Sequence, residues 1–334
     1  MVARSQPRWQ TPDWKRDLAQ AFTRPAELLD HLGLAPSQAA GSDGAARQFP
    51  LLVPRGFADL MEPGNADDPL LRQVLPLARE TAVATGYVAD PVADTAASIA
   101  PGLLQKYAHR ALLITTGACA IHCRYCFRRH FPYGAEARRG GPGAAVAALA
   151  ARPDIDEAIL SGGDPLMLDD SALADLVGAL GDIPHLKRLR LHTRLPVVLP
   201  SRVTTALCAL LADCRLETIV VVHANHPAEL GDAAAAALRS LGERRLPLLN
   251  QSVLLRGVND SPVALAALSE RLFELGVHPY YLHLLDPVAG AAHFEIPRDR
   301  ALWLMAQLRN RLPGYLVPRL ALEVPGAASK ITLA

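Results

Sequence analysis

Short apolar runs alternate with longer stretches of helical periodicity from about residue 111 onward. The apolar runs predict six strands, at residues 111–116, 157–160, 188–192, 218–223, 246–255 and 280–285. Helical periodicity predicts helices at residues 170–180, 204–214, 228–241, 261–275 and 298–312, with Asp170, Thr204 and Ser261 as N-caps. The first crossover is less clear, because the Ala-rich stretch at residues 140–151 is short.

This alternation indicates an α/β fold, since parallel strands need a crossover connection that is usually a helix. Six strand–helix units are enough to curl the sheet into a partial, TIM-like (βα)6 barrel, and a doubly wound sheet is the alternative. In either architecture, residues that follow the carboxyl ends of the strands meet at one rim. Candidate polar groups follow five of the strands, at residues 119–126, 161–164, 192–194, 223 and 286.

The chain divides near residue 100 into two regions of different pattern. Residues 1–100 combine a helical stretch near residues 13–34, a loop rich in small residues at 39–46 and a turn-rich segment at 62–69. We interpret this region as a mainly helical accessory extension. Residues 101–334 would then form the barrel and a C-terminal segment.

Composition points to a cytoplasmic protein that acts on a small molecule. The chain has 34 basic and 33 acidic residues, so no net field draws it to nucleic acid or to an anionic membrane. Its N-terminus lacks the apolar core of a signal peptide, and no run of about 18 apolar residues occurs. We therefore expect no nucleic-acid and no membrane partner.

Three of the five cysteines form a C-x-x-x-C-x-x-C cluster at Cys119, Cys123 and Cys126. Three thiolates on one loop can hold three irons of a 4Fe-4S cube and leave the fourth open to a small molecule. Zinc more usually takes four protein ligands in paired C-x-x-C spacing, and no second pair exists here. Cys208 and Cys214 lie in an apolar helical stretch, where we expect buried, inert thiols.

The cysteine spacing, with Tyr125 just before the third cysteine, resembles the radical S-adenosylmethionine (SAM) superfamily. The segment Ser161-Gly-Gly-Asp-Pro165 resembles the glycine-rich segment that binds the methionine amino group in that superfamily. Glycines permit such a close backbone approach. The resemblance implies a barrel of the radical SAM type, with Gly162, Gly163 and Asp164 as cofactor-binding residues.

Further segments resemble the lysine 2,3-aminomutase family over roughly residues 100 to 330: residues 112–129, 194–200, 250–260 and 280–286. Residues 69–75, 126–133 and 290–294 resemble its shorter branch, which supplies β-lysine for modification of elongation factor P. The family is an isomerase that converts (S)-α-lysine to (R)-β-lysine. It uses a 5'-deoxyadenosyl radical and an imine with pyridoxal 5'-phosphate (PLP), and the segment Pro325-Gly-Ala-Ala-Ser-Lys330 implies Lys330 as the PLP lysine.

The same resemblance implies the remaining site residues. Arg128 matches the arginine that binds the substrate carboxylate, and Asp286 matches the first aspartate that binds the side-chain ammonium. Glu323 stands where the family has its second aspartate, which preserves the charge on a longer side chain. PLP contacts are implied at Lys106, Tyr107 and Arg110, and SAM contacts at His223 and Gln251.

Departures from the family pattern limit what carries over. Ser261 replaces a cysteine that helps the family bind structural zinc, and the chain ends at Ala334, so we expect no zinc. The implied partners are L-lysine, a flavodoxin or ferredoxin as reductant, and a functional link to elongation factor P and its ligase; a homo-oligomer is possible by analogy. Two alternatives stay open: a radical SAM aminomutase for another amino acid, and a non-catalytic iron–sulfur protein.

Overall fold

The computed structural model describes residues 12–138 and 141–334, in which ten strands join into one sheet in chain order. The strands are β1 Ser98–Ala100, β2 Leu103–Tyr107, β3 Arg110–Thr116, β4 Glu157–Gly162, β5 Arg188–Thr193, β6 Glu217–Val222, β7 Leu248–Val253, β8 Val277–His283, β9 Arg319–Leu322 and β10 Ile331–Thr332. Each of the six strands predicted from the apolar runs is present, as β3 to β8.

The centre of the sheet is parallel, from β3 through β9. Antiparallel pairs flank it, β1 with β2 and β2 with β3 at one side and β9 with β10 at the other. Six strand–helix units are therefore followed by a seventh parallel strand, β9, which the sequence pattern did not predict. All six residues of β4 are buried, as expected where both faces of a parallel strand are covered.

Helices occupy the crossovers and the N-terminal region. They are α1 Asp13–Ala19, α2 Pro25–His31, α3 Asp43–Gln48, α4 Arg55–Ala58, α5 Pro69–Arg72, α6 Tyr133–Arg138, α7 Gly141–Ala150, α8 Asp170–Gly181, α9 Leu195–Val198, α10 Thr205–Ala212, α11 Asp232–Glu243, α12 Pro262–Glu274 and α13 Arg298–Arg311. The uncertain first crossover, predicted at residues 140–151, contains α7; residue 140 lies outside the described residues. No helix among the described residues is long and apolar enough to cross a bilayer.

Two of the three predicted N-caps are confirmed. The hydroxyl of Thr204 accepts from Leu207 N at 3.1 Å, and that of Ser261 accepts from Ala264 N at 3.1 Å. The third was wrong by one position, because Asp170 begins α8 and Asp169 is its N-cap. Cys214 was also misjudged: it lies beyond the end of α10 and is partly exposed, whereas Cys208 is buried inside that helix.

The N-terminal region contains short helices that differ in detail from the prediction. Two helices, α1 and α2, replace the single helical stretch predicted at residues 13–34. Pro25 begins α2, and the helix is interrupted before it because a residue that precedes proline disfavours helical geometry. The expected loop at 39–46 contains the start of α3. One hydrophobic core joins Trp14, Leu28 and Phe57 of this region to Leu113 and Leu191 of the sheet. The domain boundary near residue 100 stays a prediction.

Candidate active site

One cavity of about 520 Å³ runs along the inside of the parallel strands. Side chains from several parallel strands line it, including Leu112 on β3, Ile159 on β4, Val221 on β6 and Gln251 on β7. Every site residue that the sequence singled out also lines it: Lys106, Tyr107, Arg110, Cys119, Cys123, Cys126, Arg128, Gly162, Gly163, Asp164, His223, Gln251, Asp286, Glu323 and Lys330.

The cysteine loop follows β3 directly and is anchored from behind by a buried ion cluster. Arg124, inside the motif, donates from Nη2 to Glu80 Oε2 at 2.5 Å, and Arg129 donates to the same oxygen at 2.9 Å. The side chains of Arg124 and Glu80 are fully buried and that of Arg129 nearly so. Because unpaired buried charges are costly, this cluster fixes the loop that carries the thiols.

Cys119, Cys123 and Cys126 are free thiols that face the cavity. Burial raises the pKa of Cys119 well above its ordinary value and that of Cys126 to about 11, with neighbouring cysteines adding to both shifts. A thiol of this kind ionises readily only when a cation binds it. In the described residues, no three His, Cys, Asp or Glu side chains are grouped to hold one metal ion.

Gly162 and Gly163 allow the end of β4 to pack against the cysteine loop. A Cβ on Gly163 would lie 2.2 Å from the carbonyl oxygen of Ala118, and one on Gly162 would lie 2.6 Å from that of Thr116. Gly163 N donates to Thr116 O at 2.7 Å, so the two backbones are hydrogen-bonded at this approach. Only glycine fits both positions, and Gly162 also has a φ of +121°.

Asp164 connects β4 to the end of β5 rather than projecting a free carboxylate. It accepts from the hydroxyl of Thr193 at 2.8 Å, from Arg194 N at 2.7 Å and from Leu166 N at 3.0 Å. Burial raises its pKa to about 6, which these hydrogen bonds counteract. Its side chain is thus engaged within the fold, although the residue lines the cavity.

Asp94 pairs with both Arg128 and Lys106, for which the resemblance implies different ligands, the substrate carboxylate and PLP. Its Oδ2 accepts from Nε of Arg128 at 2.6 Å, and its Oδ1 lies 2.7 Å from Nζ of Lys106. Arg128 also donates to the Ser161 hydroxyl at 2.9 Å. Burial alone would raise the pKa of Asp94, but Arg128 and Lys106 lower it below its ordinary value. One carboxylate therefore sets the positions of both cations.

Lys330 reaches the cavity from the connection between β9 and β10. Its Nζ lies 3.3 Å from Oε2 of Glu323 and 3.5 Å from Nε2 of His283. Glu323 also faces Lys106, at 3.5 Å. Burial would raise the pKa of Glu323, but the two lysines lower it, so this carboxylate stays ionised near neutral pH.

Asp286 differs from Glu323 in its electrostatic state. It lies three residues beyond β8, and burial raises its pKa to about 7, although Lys330 acts in the opposite direction. The pKa values of the two carboxylates that face Lys330 are therefore pushed apart, one raised and one lowered. Such separation gives one acid that stays charged and one that titrates in the physiological range.

His223 and Gln251, for which the resemblance implies SAM contacts, both line the cavity. Nε2 of His223 is 3.1 Å from the hydroxyl of Tyr125, and burial followed by Arg194 lowers the pKa of His223 to about 3. Among the described residues, the buried Nε2 atoms of Gln251 and His192 have no hydrogen-bond partner. Both line the cavity, which makes them available to a bound molecule.

Lys106, Tyr107 and Arg110 line the cavity beside the start of β3, the first of the predicted strands. Lys106 and Tyr107 end the antiparallel strand β2, and Arg110 begins β3. The Arg110 guanidinium lies 4.7 Å from the centre of the Tyr107 ring. These residues are at the amino end of β3, whereas the cysteines follow its carboxyl end, so the cavity spans the length of the strand.

Several cavity residues were missed from the sequence. Asp94 lies in a loop without periodicity, and its partners are distant in sequence. His283 ends β8, and the rule that groups at the carboxyl ends of parallel strands meet could have found it. Arg194, which the same rule placed among the candidate polar groups at residues 192–194, follows β5 and donates to Sγ of Cys123.

Comparisons with known proteins identify the relatives of this chain. It is 48% identical over 323 residues to the L-lysine 2,3-aminomutase of Escherichia coli strain K12, covering 96% of this chain and 94% of that protein. The Haemophilus influenzae L-lysine 2,3-aminomutase is 46% identical, covering 95% of this chain and 94% of that protein. That of Clostridium subterminale is 31% identical, covering 95% and 77%. No family model matches.

Among solved structures, a radical SAM methyltransferase from Sphaerobacter thermophilus superimposes with a TM-score of 0.45 at 19% identity, over 66% of this chain and 68% of that one. The mixed α/β sheet and the reactive side chains around its cavity define an enzyme, and the relatives make it an isomerase. The chain belongs to the L-lysine 2,3-aminomutase family. The family resemblance found in the motifs is thereby confirmed.

Proposed function

We propose that this chain is an L-lysine 2,3-aminomutase that converts (S)-α-lysine to (R)-β-lysine. One observation carries the proposal: the three thiols, Lys330 and the two carboxylates Asp286 and Glu323 line a single cavity. The relatives at 41–48% identity, which are named for the same reaction, support it. A cavity of about 520 Å³ is within the range of small-molecule sites.

Cys119, Cys123 and Cys126 would hold a 4Fe-4S cluster. Each thiolate of a cube binds a different iron, so the three thiols of this loop need not converge on one ion. Gly162 and Gly163 would offer backbone oxygens to SAM, with His223 and the unpartnered amide of Gln251 across the cavity. In this proposal Asp164 contributes through its backbone, because its carboxylate is occupied.

Lys330 would bind PLP, with Lys106, Tyr107 and Arg110 near its phosphate. The fit is supported by the position of Lys330 Nζ inside the cavity beside neutral His283, whose pKa burial and then Lys330 lower. Cations beside Tyr107 suit a phosphate. When bound, the cluster would supply the electron that cleaves SAM, and PLP would bind the migrating amino nitrogen covalently for a time.

The remaining charged residues would bind lysine at both ends. Arg128, held by Asp94, would bind the carboxylate, and Asp286 and Glu323 would face the side-chain ammonium. Each charge-assisted contact contributes about 1.5–3 kcal/mol, so losing one should weaken binding about tenfold or more. The surrounding strands would limit the access of water to these contacts.

We further propose that the sheet is a partial (βα)6 barrel of the radical SAM type, with residues 1–100 as an accessory region. Strands β3 to β9 all run parallel, and side chains of β3 to β8 line one cavity, which supports a curved, open barrel. The common hydrophobic core suggests that the accessory region folds with the barrel rather than apart from it.

The product would serve elongation factor P through a separate ligase, and a flavodoxin or ferredoxin would supply electrons. The segments at residues 69–75, 126–133 and 290–294, which resemble the shorter branch of the family, support this part. It is tested by the mass of elongation factor P from cells that lack this gene. An unchanged mass would rule out this use of the product.

The activity is tested with anaerobically reconstituted protein, L-lysine, SAM, PLP and dithionite. We expect β-lysine from the wild type and none from C123S or K330A, while R309A on the last turn of α13 should match the wild type. If another amino acid is converted instead, the substrate assignment is wrong. If protein that contains iron releases no 5'-deoxyadenosine above a cluster-free control, the chain is a non-catalytic iron–sulfur protein.

A further inference from the structure

A buried arginine contacts one sulfur of the cysteine loop. Arg194 follows β5, and its Nη1 lies 2.6 Å from Sγ of Cys123, within hydrogen-bond distance. The side chain of Arg194 is only 7% exposed, so water screens this contact little. A guanidinium is always protonated in proteins and therefore presents a permanent positive charge to the sulfur.

The guanidinium is held in place by a dense network on its far side. Its Nη2 donates to Oε2 of Glu229 and to Oε1 of Gln73, both at 2.8 Å. Nη1 also donates to the hydroxyl of Tyr125 at 2.7 Å. The backbone N of Arg194 donates to Asp164 at 2.7 Å, so both ends of the residue are fixed.

Glu229 is itself held by hydrogen bonds to groups other than Arg194. Its Oε1 accepts from the backbone N of Asn225 and of His226, both at 2.9 Å, and from Nε2 of Gln73 at 3.0 Å. The carboxylate is fully buried and binds Nη2 of the guanidinium, whereas Cys123 contacts Nη1. The result is an oriented ion pair whose positive end faces the thiol.

We propose that Arg194 sets the reduction potential of the cluster through Cys123, acting as a positioning and charge-tuning residue. The inference rests on the proposed function, because it assumes that Cys123 binds iron. When an external one-electron donor reduces the cluster, one negative charge is added and shared by the sulfurs. A cation and a hydrogen bond at a sulfur stabilise that charge and make the potential less negative.

The experiment compares the midpoint potentials of wild type, R194Q and R194K. Anaerobically reconstituted proteins are titrated with dithionite and monitored by electron paramagnetic resonance, without SAM, PLP or lysine. R190Q is the matched control, since Arg190 lines the same cavity but pairs with Glu157, at 2.7 Å from Nε. Iron content and thermal unfolding are measured for every variant.

We expect R194Q to have a more negative potential than the wild type, R194K to be intermediate, and R190Q to match the wild type. An R194Q potential equal to that of the wild type, at equal iron content, would overturn the inference. If R194Q takes up no iron, R194K decides, and an unchanged potential in R194K rejects it.

The two proposals fail in different ways. Wild-type protein that takes up no cluster would remove the proposed function itself. If the wild type has a reducible cluster and the Arg194 variants have the same midpoint potential, only the role of Arg194 is rejected. An equal shift of the midpoint potential in R190Q would assign the effect to the general charge of the cavity and would also overturn the inference about Arg194.

Discussion

Nζ of Lys330 lies 3.3 Å from Oε2 of Glu323, inside the same cavity as the cysteine loop. The two side chains are 26% and 12% exposed, and the other Glu323 oxygen faces Lys106. The carboxylate thus holds the lysine that the sequence resemblance implies as the PLP residue. Because Glu323 is longer than the family's aspartate, it can reach both cations.

Lys330 is expected to be the attachment point of PLP. Borohydride reduction of PLP-loaded protein should fix the cofactor to the peptide that contains Lys330, and K330A should retain none after reduction and dialysis. K187A is the control, since Lys187 is largely exposed and pairs with Asp156 near the start of β5. Label on another lysine in the wild type would contradict the assignment.

Lysine binding should depend on pH through Asp286. Burial raises the pKa of this carboxyl to about 7, and the substrate ammonium needs the ionised form. Protonation therefore weakens binding as pH falls, and kcat/KM for lysine should be about tenfold lower at pH 6 than at pH 8. The measurement is a pH profile of kcat/KM between these values.

Two variants separate this carboxyl from its neighbour. D286N should have low activity without the dependence on pH between 6 and 8. E323Q should keep that dependence, because Lys330 and Lys106 lower the pKa of Glu323 and keep it ionised throughout the range. If the pH dependence of kcat/KM is lost in E323Q but persists in D286N, the two assignments are reversed.

The glycine at position 163 should be required for cluster uptake. In G163A the new Cβ would lie 2.2 Å from Ala118 O, so the backbone that precedes Cys119 must move. We expect a large loss of bound iron, measured by iron analysis of reconstituted protein. G178A is the control, since its Cβ in α8 would meet nothing within 4 Å beyond the local helix backbone, and Ala should stabilise that helix by about 0.5–1 kcal/mol.

The parallel strands β3 to β8 could be predicted because each is a short apolar run followed by a stretch of helical periodicity. This pattern missed β9, which has only four residues, and the β1–β2 hairpin, whose strands are three and five residues long. Such lengths are too short for an alternation to stand out. The cysteine motif was local in sequence, so its placement after β3 could be predicted.

Contacts between distant residues were beyond the reach of local pattern. Arg194 is 71 positions from Cys123, and Asp94 is 34 from Arg128. The position of Arg194 after a strand made it a candidate, but its contact with Cys123 was not predictable, and Asp94 belongs to no motif. The resemblance supplied roles for the matched positions, but the ion pairs that hold those positions required the fold.

The buried ion cluster of Glu80, Arg124 and Arg129 should contribute to the free energy of unfolding and hold the cysteine loop in place. In E80Q both arginines lose their only nearby carboxylate among the described contacts, and removing one partner of a buried pair costs about 3–5 kcal/mol. Urea unfolding of the iron-free protein should show this loss. D67N, which breaks the exposed pair with Arg72, should change the free energy of unfolding by less than about 1 kcal/mol.

The same substitution distinguishes an anchor from a simple stabilising contact. If the ion cluster fixes the loop, E80Q should also bind less iron at temperatures where it is fully folded, because Arg124 lies between two of the thiols. Normal iron content in folded E80Q would mean that the cysteine loop keeps its shape without Glu80. The loop would then be held mainly by its backbone contacts, such as Arg124 N to Gln73 O at 2.8 Å.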